Sequence, residues 1–224
     1  MKTVVTNNTS RALTLVELLI SIFVIVVMAG LLLPALKRPP PAKRVNCLSN
    51  LKQVGLAFRL WSGDHGEHFP WAVPTAEGGT MEYVASPEVI RHFAILTNDL
   101  SSPRVLSCLA DEKVSREANW TNFQNSNLSY FVGLEADESK PQSILTGDRN
   151  IFGGVIDSNG IVNFGSNSLP RWGTDIHKGA GNIGLGDGSA QQVNPQTMRK
   201  QIEAALLATN VAALRFAIPN PDSK

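Results

Sequence analysis

From Leu13 to Leu33 the chain reads LTLVELLISIFVIVVMAGLLL, 21 residues with a single charge, Glu17. A helix rising about 1.5 Å per residue would carry such a stretch roughly 30 Å, the thickness of a bilayer core. A cleaved secretory signal has a shorter apolar core, about 7–15 residues, followed by a small-residue site. Val27-Met28-Ala29-Gly30 offers a site of that kind, but the apolar run continues past it. An anchor is therefore the expectation. Its flanks are basic on both sides: Lys2 and Arg11 before it, Lys37, Arg38, Lys43 and Arg44 after it. Charge bias alone would place the richer flank, and the rest of the chain, in the cytoplasm.

Behind the apolar run, a chain of 224 residues leaves room for one sizeable domain. A net charge of +1 provides no basic field for nucleic acid. Eighteen glycines and thirteen prolines favour a turn-rich α+β domain over a helical bundle.

The residues Arg11-Ala12-Leu13-Thr14-Leu15-Val16-Glu17-Leu18-Leu19 resemble the signature of type IV prepilins and type II secretion pseudopilins. That signature has a basic leader, a small residue before a cut, an apolar residue after it and a glutamate five positions into the mature chain. Ala12 stands where glycine is commonest and Leu13 where phenylalanine is. The resemblance implies cleavage between Ala12 and Leu13 by prepilin peptidase, N-methylation of the new amine, and a structural rather than enzymatic role. It also implies a single pass through the inner membrane, with the C-terminal domain in the periplasm or outside, and this overrides the charge bias. The implied partners are membrane lipid, sibling pilins or pseudopilins, and an assembly ATPase with its inner-membrane platform.

Physical reasoning gives Glu17 a purpose. A carboxylate at membrane depth costs about 2.5–3.5 kcal/mol on insertion scales. The new Leu13 amine would sit at a helix N-terminus, where the backbone dipole disfavours a cation. Glu17 of one subunit can neutralise the amine of the next, relieving both costs. The plainer alternative is a signal anchor whose Glu17 is solvated near the membrane surface.

The expected organisation is a leader over 1–12, a transmembrane and assembly helix over 13–36, a proline-rich spacer over 37–42, an amphipathic helix over 43–62 and a globular domain over 63–224. Pro34 should kink or end the first helix, and Pro39-Pro40-Pro41 should hold an extended spacer. Val45, Leu48, Leu51, Val54, Phe58 and Trp61 recur at helical spacing as a core-facing stripe. Within that helix, Cys47-Leu48-Ser49-Asn50-Leu51-Lys52-Gln53-Val54-Gly55-Leu56-Ala57 resembles a segment of a planctomycete- and verrucomicrobia-like subfamily. Members of that subfamily end with a histidine, nine residues and Asp-Gly, matched here by His177 and Asp187-Gly188. The resemblance implies a pilin-like fold: an N-terminal transmembrane and assembly helix, then a domain with a small antiparallel sheet and a C-terminal helix.

Ser86-Pro87-Glu88 reads as a helix start, with Val89, Ile90, Phe93 and Leu96 inward. Strands are expected at 104–108, 128–133, 143–146 and 182–185. Asp187-Gly188 is read as a hairpin turn returning along 189–193. Asn194-Pro195 should cap a last helix reaching about Phe216, with Met198, Ile202, Ala205, Leu206 and Phe216 inward.

Cys47 and Cys108 are the only cysteines. Outside the cytoplasm they can pair, closing a loop worth about 4 kcal/mol in the chain-entropy treatment; otherwise they are buried thiols. Asp64-His65-Gly66-Glu67-His68 places two histidines three apart, but no third ligand is fixed by spacing and the glycines mark a solvated turn. His177, Asp148 and Asp187 form a candidate cluster at a sheet edge, able to bind calcium or another cation; otherwise Asp187 makes a turn and His177 fixes the loop before it. No required cofactor is indicated, and the glycines of 179–188 fit neither dinucleotide nor P-loop spacing. A second function is a membrane-tethered binding module for a ligand such as a glycan, exported by the same signal and presenting Trp71, Trp120 or Trp172.

Overall fold

The computed structural model describes the backbone of residues 14–36 and 41–220 and the side chains of 14–28 and 43–220. Two units are separated at Pro40 and Pro41. In the first, helix α1 covers Leu15–Leu36, carrying on through Pro34. Its N-terminus is closed by a capping box. The Thr14 amide and hydroxyl each donate to Glu17 Oε2 at 2.9 Å, and the Glu17 amide donates to Thr14 Oγ1 at 3.3 Å. The sequence T-L-V-E supplies this S/T-x-x-E pattern directly.

The second unit is built on a seven-stranded antiparallel sheet in the order β4-β5-β9-β1-β2-β7-β8. Its strands are β1 (Tyr130–Gly133), β2 (Ile144–Asp148), β4 (Val155–Ile156), β5 (Val162–Gly165), β7 (Gly181–Leu185), β8 (Ala190–Val193) and β9 (Ala213–Ala217), while β3 (Ile151–Phe152) pairs apart with β6 (Arg171–Trp172). The central strands are buried on both faces, and alternation along them divides the core. Tyr130 and Val132 point to a layer formed by helix α2 (Pro41–Gly63), the short helix α3 (Ile90–Ala94) and several 3-10 turns. Phe131 points to the opposite layer, where helix α4 (Pro195–Thr209) brings Met198, Ile202 and Ala205. There Phe131 stacks on Phe216 of β9 at 4.4 Å between ring centres.

These features correct the expected architecture. The sheet is large, and it closes with a strand rather than a helix. The last helix stops at Thr209 because Asn210 takes the left-handed conformation, φ 55°, that ends helices. Phe216 is indeed buried, but on β9, where it alternates with Leu214 at period two. The expected transmembrane helix is also not supported: among the described residues, no helix is long and apolar enough to cross a membrane. The part of α1 whose side chains are described, 15–28, would rise only about 20 Å, against a hydrocarbon core of about 30 Å.

Smaller differences follow the same logic. Residues Pro103–Leu106 form a 3-10 turn instead of a strand, started by Ser102 and Pro103. Helix α3 begins at Ile90, although Ser86 Oγ does accept from the Glu88 amide at 3.1 Å. Along α2, Val45 is 53% exposed and Leu48 only half-buried, and the stripe is completed by Cys47 and Ala57.

Candidate functional site

The most concentrated polar chemistry lies under α2, where it crosses the start of β7. Cys47 on α2 is disulfide-bonded to Cys108, which follows the Pro103–Leu106 turn. Both are buried. His177 Nε2 lies 3.4 Å from Cys108 Sγ and 3.5 Å from Asp148 Oδ2 at the end of β2. Asp148 is completely buried. Its Oδ2 accepts from the Asn182 amide at 2.6 Å and from Asn182 Nδ2 at 3.1 Å, while Oδ1 has no hydrogen-bond partner. Arg44, one turn before Cys47, donates to the carbonyls of Gly181 at 2.8 Å and Val193 at 3.1 Å, bridging the first turn of α2 to β7 and β8.

The loop carrying His177 is held open by its neighbours. Asn150 Nδ2 donates to the carbonyls of Gly173 at 3.0 Å and Ile176 at 2.9 Å, and the Gly173 amide returns to the Asn150 carbonyl at 2.8 Å. His177 and Lys178 are both left-handed, with φ of 56° and 53°. Consecutive residues with side chains in this region cost on the order of 1 kcal/mol each, so the surroundings hold the imidazole in place. Beside it, Arg149 and Asp111 form a buried two-pronged ion pair, both contacts 2.7 Å, and Ser129 Oγ donates to the same carboxylate at 3.0 Å.

Burial sets the protonation of this cluster. It lifts the Asp148 carboxyl to about 7, against the pull of the Asn182 donors and the Arg44 charge. Burial, aided by Arg44, lowers His177 to about 4. At neutral pH the imidazole is uncharged, so its approach to Asp148 is not an ion pair.

Asp187 lies elsewhere. It sits in the β7–β8 turn, its Oδ1 taking the Ser189 amide at 2.8 Å. His177 precedes β7 and Asp187 follows it, and at about 3.3 Å per residue the strand separates its ends by some 15 Å. The structure thus brings His177 and Asp148 together and leaves Asp187 apart. The set it does assemble, with sulfur and nitrogen donors, is unlike the oxygen cage that calcium takes.

The turn has its own partner. A Cβ on Gly55 of α2 would lie 3.2 Å from both Cα and O of Gly188, so the helix and the turn touch through two glycines. Gly188 itself has φ of 80°, a conformation that glycine adopts freely. Arg59 then donates to the Asp187 carbonyl at 2.8 Å and reaches Glu138 at 3.0 Å. The two ends of the His…Asp-Gly element are therefore two fastenings of one helix: His177 against the disulfide, and Gly188 against Gly55.

The other candidates are placed as follows. Ala12 and Leu13 lie outside the described residues, and Glu17 serves the α1 capping box. His65 stacks on Trp61 with ring centres 3.6 Å apart, in a turn where Gly66 and Glu67 are left-handed. Trp71 and Trp172 are buried, and Trp120 packs against the core. What the sequence reading missed is Asn182, Arg44 and Asn150; Asn182 stood out only as a polar residue inside the apolar, glycine-rich run of β7, while Arg44 on α2 and Asn150 after β2 carried no signal of a shared site. Comparison with known proteins yields no match: no family model, no curated protein and no solved structure aligns with the chain.

Proposed function

We propose that the chain is a pilin-like or pseudopilin subunit, trimmed before Leu13 by prepilin peptidase and packed through α1 against sister subunits, with its sheet-based unit outside the cytoplasm. The observation that carries the reading is the surface of α1. From Leu15 to Met28 its large apolar side chains are 43% to 74% exposed, and its one acid lies in the first turn. Burying a leucine- or valine-sized side chain is worth about 1.5–3 kcal/mol, so a helix of this kind gains most by packing against copies of itself. The Cys47–Cys108 bond supports placement outside the cytoplasm, since such bonds persist in oxidising compartments.

The test separates two roles for Glu17. Glu17→Gln retains a capping box while removing the charge, whereas Glu17→Ala removes both. Fibres sheared from cells should lose the Glu17→Gln subunit as completely as the Glu17→Ala subunit. Normal recovery of Glu17→Gln alone would show that the acid acts only as a cap. Normal recovery of both variants would defeat the assembly reading.

A further inference from the structure

The ligand atoms of Cys47, Cys108 and His177 all lie within 4.8 Å of one another. We propose that, when the Cys47–Cys108 bond is reduced, the chain holds one zinc-class ion between the two sulfurs, His177 Nε2 and a carboxylate oxygen of Asp148. The argument is geometric. Bonds of about 2.3 Å to sulfur and 2.0 Å to nitrogen or oxygen give a tetrahedron whose S···N edge is about 3.5 Å and N···O edge about 3.3 Å. His177 Nε2 already stands 3.4 Å from Cys108 Sγ and 3.5 Å from Asp148 Oδ2. The two sulfurs have to part, to about 3.8 Å, which side-chain rotation provides once they are no longer bonded. Asp148, which stands outside the 4.8 Å group of the other three donors, has to close on the sulfurs to take the fourth corner.

The donor set is suited to the ion. Two thiolates, an imidazole and a carboxylate match zinc or cobalt rather than calcium or magnesium. Asp148 Oδ2, the oxygen nearest His177, is held by two donors from Asn182, the outer support that metal-binding carboxylates use, and the carboxylate's other oxygen is buried with no hydrogen-bond partner. Three anionic ligands around a dication leave one negative charge, and the Arg44 guanidinium is close enough to act on both Asp148 and His177.

The redox step balances. A dithiol reductant gives two electrons and two protons to the Cys47–Cys108 bond and leaves as its own disulfide. Two thiols result, and binding the dication releases their two protons to solvent, together with the Asp148 proton wherever that carboxyl is still protonated. The bond and the ion are then mutually exclusive, whatever α1 does.

The test uses the full chain, reduced with a phosphine under argon and titrated with Co²⁺. One equivalent should produce tetrahedral d–d absorption and a thiolate charge-transfer band, displaced by one equivalent of Zn²⁺, and the oxidised chain should give neither. His177→Ala and Asp148→Asn should shift the d–d bands and weaken binding at least about tenfold, and Asn182→Ala about 10–100-fold. X-ray absorption of the zinc-loaded wild type should read two sulfur and two nitrogen or oxygen neighbours, a result that needs no variant to fold. If reduction unfolds the chain, Zn²⁺ should restore its far-UV dichroism. No Co²⁺ uptake by the reduced wild type, a different ligand shell, unchanged binding in His177→Ala, or failure of Zn²⁺ to restore a chain unfolded by reduction would each overturn the proposal.

Discussion

Helices α1 and α2 are almost equal in length, 22 and 23 residues, and are stabilised in opposite ways. Helix α1 exposes apolar side chains along its described length, and its N-terminus is closed by the Thr14–Glu17 cap. Helix α2 buries Cys47, Leu51, Val54 and Phe58 on one side while Leu56 and Leu60 remain exposed on the other. It is held by a covalent bond at Cys47, by Arg44 on two strand carbonyls, and by a glycine contact at Gly55. The contrast teaches that apolar content states how much surface needs a cover, while its periodicity states whether the cover lies within the same chain. α2 has its cover in the sheet, and the assembly proposed above would cover α1 with other copies.

Removing the disulfide should show the contrast at its strongest. Full-length Cys47→Ala/Cys108→Ala should lose about 4 kcal/mol in denaturant unfolding of the sheet-based unit; a loss below about 1 kcal/mol would mean that packing alone fixes α2. Gly55→Leu comes next. Its side chain would meet the Gly188 backbone, and overpacking of this kind costs about 1–3 kcal/mol. An unchanged unfolding midpoint would remove the close contact from the account.

A third prediction concerns pH. Asp148 retains its proton in the folded state up to about 7, whereas an unfolded aspartate ionises near 4. Between these values the folded chain binds more protons, so this group's stabilisation is full below about 4 and is lost as pH rises through about 7. His177 and His92, each lowered to about 4, act oppositely: their contribution is present above about 6.5 and lost as pH falls toward 4. Asp148→Asn removes only the first effect. Denaturation midpoints should therefore shift in the variant's favour from pH 4 to 7 and level off above; a difference independent of pH would refute the buried, protonated acid. The smallest effect belongs to α1: Phe23→Ala should change unfolding of the sheet-based unit by less than about 0.5 kcal/mol, while reducing recovery in sheared fibres. A larger loss of stability would mean that α1 is covered within its own chain.

Much of the sheet's centre was legible, because β1, β2 and β7 are apolar runs bounded by turn residues and Asp187-Gly188 marks the hairpin. Its outer parts were not. β4 has two residues, too few to show a period, and β9 follows Asn210 without the glycine that usually announces a helix end. Among the site residues, His177 and Asp148 stood out as titratable groups beside strand signals. Their neighbour Asn182 did not, because its role depends on β2–β7 register, which places it beside Asp148 across 34 residues of chain. Asp187 was grouped with them because it too closes a strand, and alternation along β7 does not reveal that it lies at the other end.

The most direct measurement is intact mass with N-terminal sequencing of the protein taken from its native cells without reduction. The account predicts a chain beginning at N-methylated Leu13 and lighter by two hydrogens for the Cys47–Cys108 bond. A chain still beginning at Met1, in cells that trim their other prepilins, would contradict it.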